Sequence, residues 1–231
     1  MDIAAFRKAF WETFGTSRNV PEFQYWDPIE GTKADSCPDV DGMMSIKKQR
    51  LLNMAFAHLN EDECYLEVGT FKGKSLISAM LDNSPRPVIA CDNFGEFQDR
   101  GNALEETQSN LARHNLAGRV EFYDCDFREV YTPERLAHPI GLYFYDGAHD
   151  YAAQYDGIKL VEPYLAANAL VIVDDWRFDR DSGSYARAAT LDAIGESPNE
   201  WNLLYELPAR FNGDLALWWN GVGVLEFRRL G

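Results

Sequence analysis

Apolar positions along the chain alternate between short strand-like runs and stretches with helical spacing. Five runs rich in branched and aromatic residues follow one another: CYLEV, PVIACD, RVEFYDCD, IGLYFYD and ALVIVDD. Helical spacing recurs near residues 44–59, from residue 74, and near residues 102–115, 151–165 and 185–194. Strands that alternate with helices in this way predict an α/β fold, a doubly wound parallel sheet with helices on both faces.

The two ends of the chain depart from this alternation. WNLLYELPA and LALWWNGVGVLEFRR are two strand-like runs without a helix between them, so they should pair antiparallel and complete a sheet of seven strands, the last antiparallel. Residues 1–42 combine a short helix with the aromatic loop PEFQYWDPIEG and the turn DSCPDVDG. We therefore expect an arm or lid at residues 1–42 and the main domain at residues 43–231.

Composition narrows the classes of partner. The 231 residues are 46% apolar, which suits one well-packed domain, and carry a formal net charge of −15. This negative field disfavours nucleic acid and anionic membrane surfaces and favours small molecules. The sequence has neither an apolar run of transmembrane length nor an apolar signal segment, and Cys37, Cys64, Cys91 and Cys125 form no CxxC pair. We expect a cytoplasmic protein with reduced thiols. The sequence leaves open whether the protein forms a homo-oligomer.

The stretch EVGTFKGKS raises the question of a nucleotide. Its end resembles a phosphate-binding P-loop, but that loop needs four residues between its first glycine and the Gly-Lys-Ser, whereas Gly69 and Gly73 enclose three. VIVDD resembles the acidic strand of the same enzymes. A nucleotide hydrolase therefore remains an alternative.

Acidic side chains recur where the predicted strands end. They are Glu67, Asp92, Asp126, Asp146, Asp174 and Asp175. Parallel strands bring their carboxyl ends to one edge of the sheet, where such folds bind ligands. A row of carboxylates repels a triphosphate and attracts a ligand with an ammonium, a cationic sulfur and a diol.

The motif EVGTFKG, an acid at the end of the second strand and a closing antiparallel hairpin resemble the class I S-adenosylmethionine-dependent methyltransferases, from about residue 43 to residue 229. YDGAHDY followed by VIVDDW resembles the metal-dependent small-molecule O-methyltransferases of the catechol, caffeoyl-CoA and antibiotic-sugar types. The resemblance implies a Rossmann-like sheet, S-adenosylmethionine as cofactor and a small-molecule hydroxyl as methyl acceptor.

The resemblance also assigns cofactor contacts to Glu67, Gly69, Gly73, Ser75, Asp92 and Asp126. Glu67 and the glycine turn would hold the methionine part, with Ser75 near its carboxylate. Asp92 would accept hydrogen bonds from the ribose hydroxyls, because a carboxylate matches a diol. Asp126 would face the adenine amino group, with Asp124 as a rival. Helix capping is the structural alternative for Glu67 and Asp92.

The same resemblance implies a Mg²⁺ site at Asp146, Asp174 and Asp175, and His149 as the base that deprotonates the acceptor. Adjacent residues of a strand point to opposite sides, so the strand has to break after Asp174 for both aspartates to face one ion. Clustered carboxylates also need a cation, either the metal ion or a basic side chain.

The sequence offers Arg177 and Arg180 as the nearby basic side chains. Aromatic residues could line the acceptor pocket, although such residues are more often core: Phe23, Tyr25, Trp26 and Trp176. Three functions stay open at this point, namely a metal-assisted O-methyltransferase, a nucleotide hydrolase and a binding protein without turnover.

Overall fold

A mixed sheet of seven strands runs through the computed structural model, which describes residues 1–14, 37–177 and 185–231. The strands are β1 (Cys64–Val68), β2 (Val88–Asp92), β3 (Glu121–Asp124), β4 (Ile140–Tyr145), β5 (Leu165–Asp174), β6 (Glu200–Leu207) and β7 (Val222–Arg228). The α-helices are α1 (Ile3–Phe14), α2 (Ile46–Ala57), α3 (Lys74–Met80), α4 (Ala103–Arg113), α5 (Tyr151–Val161) and α6 (Ala186–Gly195).

The strand order is β3-β2-β1-β4-β5-β7-β6. Strands β1 to β5 pair in parallel, and β7 runs antiparallel to both of its neighbours, β5 and β6. The predicted seven-stranded sheet with an antiparallel last strand is confirmed. The chain moves outward from β1 to β3 and then returns to β4, so the strand order reverses beside β1. Ligands of open α/β sheets bind at such a point, beyond the carboxyl ends of the strands.

Helices cover both faces of the sheet, as predicted. Strand β4 shows the alternation, because Leu142 and Phe144 join one buried cluster whereas Tyr143 and Tyr145 join another. The first cluster includes apolar residues of α1, α2, α3 and α4, and the second includes residues of α5 and α6. The sheet therefore separates two hydrophobic layers.

Helix α1 packs against the sheet through three phenylalanines spaced four residues apart. Phe6, Phe10 and Phe14 are buried. The ring of Phe10 stacks on Tyr205 with centroids 4.0 Å apart, and Phe14 meets Trp218 edge to face at 5.0 Å. The predicted aromatic loop that follows α1 lies outside the described residues.

Two predictions about the chain as a whole concern thiols and membranes. The four cysteines are free, three of them buried and Cys125 partly buried. No helix in residues 1–14, 37–177 and 185–231 is long and apolar enough to cross a membrane.

Candidate functional site

The turn after β1 brings three strand ends together. Gly69 has φ = +85°, and a Cβ on it would lie 2.0 Å from the carbonyl oxygen of Asp146. Its N–H donates to the carbonyl of Cys91 at 2.9 Å, and the N–H of Asp146 donates to Val68 at 2.8 Å. Only glycine fits this position, because both its conformation and its contact exclude a side chain.

Asp92 braces the turn from the end of β2. Its carboxylate accepts the N–H groups of Thr70 and Phe71, each at 2.8 Å, and that of Phe94 at 2.7 Å. Gly73, with φ = +84°, ends the turn and begins α3. Asp92 thus caps the loop before it, a role that the sequence did not indicate, and it also lines the cavity described below.

Glu67 lies beneath the turn and is fully buried. Its carboxylate accepts the hydroxyl of Ser75 at 2.7 Å and that of Tyr65 at 2.5 Å. Burial raises the pKa of Glu67 to about 7, although the hydrogen bonds from Tyr65 and Ser75 oppose the shift. The structure therefore places Glu67 and Ser75 in a buried bridge between β1 and α3, and neither they nor Gly73 line the cavity.

A cavity of about 490 Å³ opens at the carboxyl ends of the parallel strands. The predicted site residues that line it are Gly69, Asp92, Asp126, Asp146, His149, Asp174 and Asp175. Between the acidic residues it is lined by Phe71, Phe94 and Phe97. Seven of the ten predicted residues therefore meet at one cavity, at the edge of the sheet where the strand order reverses.

Asp126 lies at the end of this cavity beside β3. It accepts the N–H of Arg128 at 2.9 Å and caps the short 3₁₀ helix that follows, and its other oxygen pairs with the Arg128 guanidinium at 3.3 Å. Its rival Asp124 does not line the cavity.

Three aspartates gather at the opposite end. Strand β5 ends at Asp174, and Asp175 adopts φ = +52°, which is the break that the pair required. Both carboxylates therefore reach the cavity beside Asp146. Asp146 is half-buried, and its pKa is raised well above the ordinary value, first by the loss of water around its carboxylate and then by the charge of Asp174.

His149 and Asp175 lie within hydrogen-bonding distance of each other in the cavity. The imidazole Nε2 lies 3.0 Å from the Asp175 carboxylate, and the Arg177 guanidinium lies 3.7 Å from it. Burial disfavours the charged forms of both side chains. The hydrogen bond between them and the attraction of their opposite charges outweigh this effect of burial. The pKa of Asp175 falls to about 2, and that of His149 is raised. His149 is thereby oriented and made more basic.

Lys48, a residue of α2, supplies the cation beside Asp174. Its Nζ lies 2.5 Å from each oxygen of the Asp174 carboxylate, and both side chains are buried. Sequence reasoning missed this residue because it considered only basic residues close to Asp174 along the chain. The signal was present in the helix pattern, since Lys48 precedes the buried Leu51 and Leu52 by three and four residues and so shares their face.

The predicted magnesium site is not supported. Among the described residues, no group of three or more His, Cys, Asp and Glu side chains is arranged to hold a metal ion. The physical reason is that Asp174 already binds the Lys48 ammonium and Asp175 already binds His149. Of the arginines considered as an alternative, Arg177 pairs with Asp175, whereas Arg180 lies outside the described residues.

The predicted aromatic acceptor pocket is only partly described. Trp176 is fully buried, donates its Nε1–H to Glu206 at 2.9 Å and does not line the cavity. Trp219, which the sequence did not single out, does line it. Phe23, Tyr25 and Trp26 lie outside the described residues.

Comparison with known proteins agrees with this fold. A family model described as "Methyltransferase domain" matches residues 66–176, which include the glycine turn and the three aspartates. The central part of the chain therefore resembles a methyltransferase domain.

Individual similar proteins are distant in sequence. An uncharacterized protein, R132 of Acanthamoeba polyphaga mimivirus, is 24% identical over 131 residues, which cover 55% of this chain and 58% of that protein. The cofactor-bound structure of Rv0187 from MTB superposes with a TM-score of 0.59 at 19% identity, over 86% of this chain and 87% of that one. The O-methyltransferase TomG from Streptomyces achromogenes, solved with S-adenosylmethionine, superposes with a TM-score of 0.58 at 18% identity. The superposition covers 87% of this chain and 92% of the TomG chain. These structures share the fold.

Proposed function

We propose that this methyltransferase transfers the methyl group of S-adenosylmethionine to a hydroxyl of a small molecule, with His149 as the general base. The observation that carries the proposal is the pair formed by His149 and Asp175, 3.0 Å apart, in the same cavity as the glycine turn. A hydroxyl needs a base near it to lose its proton, and a histidine oriented by an aspartate is suited to that role.

The cavity suits the cofactor. Its volume of about 490 Å³ falls in the range of small-molecule sites. Its carboxylates complement the ammonium, the sulfonium and the ribose hydroxyls of S-adenosylmethionine. Gly69, Asp92 and Asp126 would hold it along the strand ends. When bound, it supplies a methyl group whose bond to sulfur breaks, with the electron pair moving to sulfur and leaving S-adenosylhomocysteine.

The protein's own part is to place the acceptor and take its proton. Asp175 accepts the Nε2–H of His149, which leaves Nδ1 to receive the proton as the acceptor oxygen bonds to the methyl carbon. Asp175 then stabilises the imidazolium that forms. Asp146, the glycine turn and three phenylalanines line the cavity in which this transfer would take place.

The similarity to TomG supports an oxygen acceptor, because TomG is an O-methyltransferase. The hydrolase alternative is disfavoured by the charges at the site. Lys72, a lysine of the glycine turn, is paired with Asp41 at 3.1 Å and with Glu106 at 3.0 Å. The cavity itself is lined by carboxylates, which repel a triphosphate.

The test is a product assay with methyl-labelled S-adenosylmethionine. Catechols, sugars and polyketides with free hydroxyls are each offered beside an amine analogue of the same shape, and products are followed by mass spectrometry. We expect a labelled methyl ether and an equal amount of S-adenosylhomocysteine with at least one hydroxyl compound. Methylation of the amines alone would contradict oxygen specificity, and cofactor binding without product from any acceptor would indicate a binding protein.

The role of His149 is tested by His149→Ala. We expect turnover to fall about 10²–10⁴-fold, because the general base is lost, while the affinity for S-adenosylhomocysteine stays nearly unchanged. His138→Ala is the control, since His138 is exposed and does not line the cavity. If His149→Ala retains the rate of the unmodified enzyme at saturating acceptor, His149 is not the base.

A further inference from the structure

The Lys48 ammonium is buried at the edge of the sheet that binds the cofactor. Its side chain has no exposed surface, and it reaches from α2, on one face of the sheet, to the end of β5. Its Nζ bridges both oxygens of Asp174 at 2.5 Å. A buried lysine is costly unless it is paired, so this pair is a built feature of the core.

Two of the three aspartates have basic partners among the described residues. Asp174 binds Lys48, and Asp175 binds His149 and lies near Arg177. Asp146 lines the same end of the cavity as Asp174 and Asp175. A divalent ion placed here would have to displace the ammonium from Asp174 and would meet its positive charge at short range.

We propose that Lys48 takes the place that a divalent metal ion takes in metal-dependent O-methyltransferases, so that this transferase works without a metal ion. Lys48 does not line the cavity, so it is a positioning residue that acts through Asp174. It keeps the end of β5 in the conformation that directs Asp175 toward His149. The inference rests on the proposed hydroxyl methylation for its catalytic meaning, although the exclusion of the ion does not depend on it.

An ammonium and a divalent ion do different chemistry. Mg²⁺ offers open coordination positions that can bind an acceptor hydroxyl directly and lower its pKa. A lysine ammonium has three N–H donors and no coordination position, and two of these donors are directed at Asp174. Proton removal therefore depends on His149 rather than on a bound ion.

The experiment measures Mn²⁺ binding to the full chain, stripped with EDTA and then freed of it, by electron paramagnetic resonance and calorimetry. We expect the unmodified protein to bind no stoichiometric Mn²⁺ with S-adenosylhomocysteine present, and its affinity for S-adenosylhomocysteine to agree within about twofold with and without EDTA. One equivalent of Mn²⁺ bound by the unmodified protein and lost in Asp174→Asn would overturn the proposal, and this measurement needs no lysine variant.

Lys48→Met supplies the second measurement. It removes the ammonium and keeps the length of the side chain, so the three carboxylates should then accept the ion, with Mn²⁺ affinity at least about tenfold above that of the unmodified protein. Lys8→Met is the control for the loss of one positive charge, because Lys8 is exposed on α1. Equal Mn²⁺ affinities in Lys48→Met and Lys8→Met would show that the ammonium does not hold the place of the ion. Failure of methyl transfer to every hydroxyl, with Mn²⁺ excluded as expected, would count against the proposed function alone.

Discussion

Single residues at this site have chemical properties that depend on their burial. Sequence reasoning placed Glu67 and Asp92 correctly at two neighbouring strand ends, because parallel strands align their carboxyl termini. It could not separate their roles, since burial is a tertiary property. Asp92 lines the cavity, whereas Glu67 lies below the turn with Ser75 and Tyr65 as its partners.

Burial of Glu67 predicts a specific dependence of stability on pH. Its pKa is raised from 4.5 to about 7, so the folded state binds this proton more tightly than the unfolded state does. The resulting stabilisation is complete below about pH 4.5 and is lost as the pH rises through about 7, a loss of at most about 3 kcal/mol near pH 8.

Glu67→Gln tests this dependence, because glutamine stays neutral at every pH. We expect the free energy of unfolding in urea of Glu67→Gln, minus that of the unmodified protein, to increase by about 1–3 kcal/mol from about pH 5 to about pH 8, because only the unmodified protein loses stability over this range. The exposed Glu134→Gln is the control and should show no such trend. A difference between Glu67→Gln and the unmodified protein that is constant over this range would contradict the raised pKa.

At the scale of helices and strands, the periodicity of apolar residues predicted most elements, because each strand and helix buries a regular face. Strand β5 is longer than predicted, beginning at Leu165 instead of at the apolar run ALVIVDD. The added residues include Asn168, which pairs with Arg228 of β7. That pairing joins positions sixty residues apart, so the local pattern does not reveal it.

Helix α1 gives a prediction at the same scale. Phe10→Ala should destabilise the protein by about 3–5 kcal/mol, because it removes a buried ring that stacks on Tyr205. Trp11→Ala, one position further along the helix, changes a side chain that is 53% exposed and should shift stability by about 0.5 kcal/mol or less. Urea unfolding measures both variants. Equal effects would mean that α1 does not pack against the sheet as described.

At the scale of the whole molecule, the order of the strands brings distant side chains to one edge. The sequence predicted the fold and most of the acidic residues at that edge, because both follow from the alternation of strands and helices. It did not predict that Lys48 reaches Asp174 across 126 positions, since that contact depends on how α2 packs on the sheet. The clustered aspartates were expected to need a cation, and in the structure the Lys48 ammonium is the cation beside Asp174.

The central claim is that this edge binds S-adenosylmethionine and not a nucleotide triphosphate. Calorimetric titration with S-adenosylhomocysteine and, separately, with ATP tests it most directly. We expect one equivalent of S-adenosylhomocysteine to bind and ATP to give no binding heat. Asp92→Ala should weaken the former by about 1–3 kcal/mol, while Asp124→Ala, outside the cavity, should leave it unchanged. Binding of ATP without binding of S-adenosylhomocysteine would contradict the account.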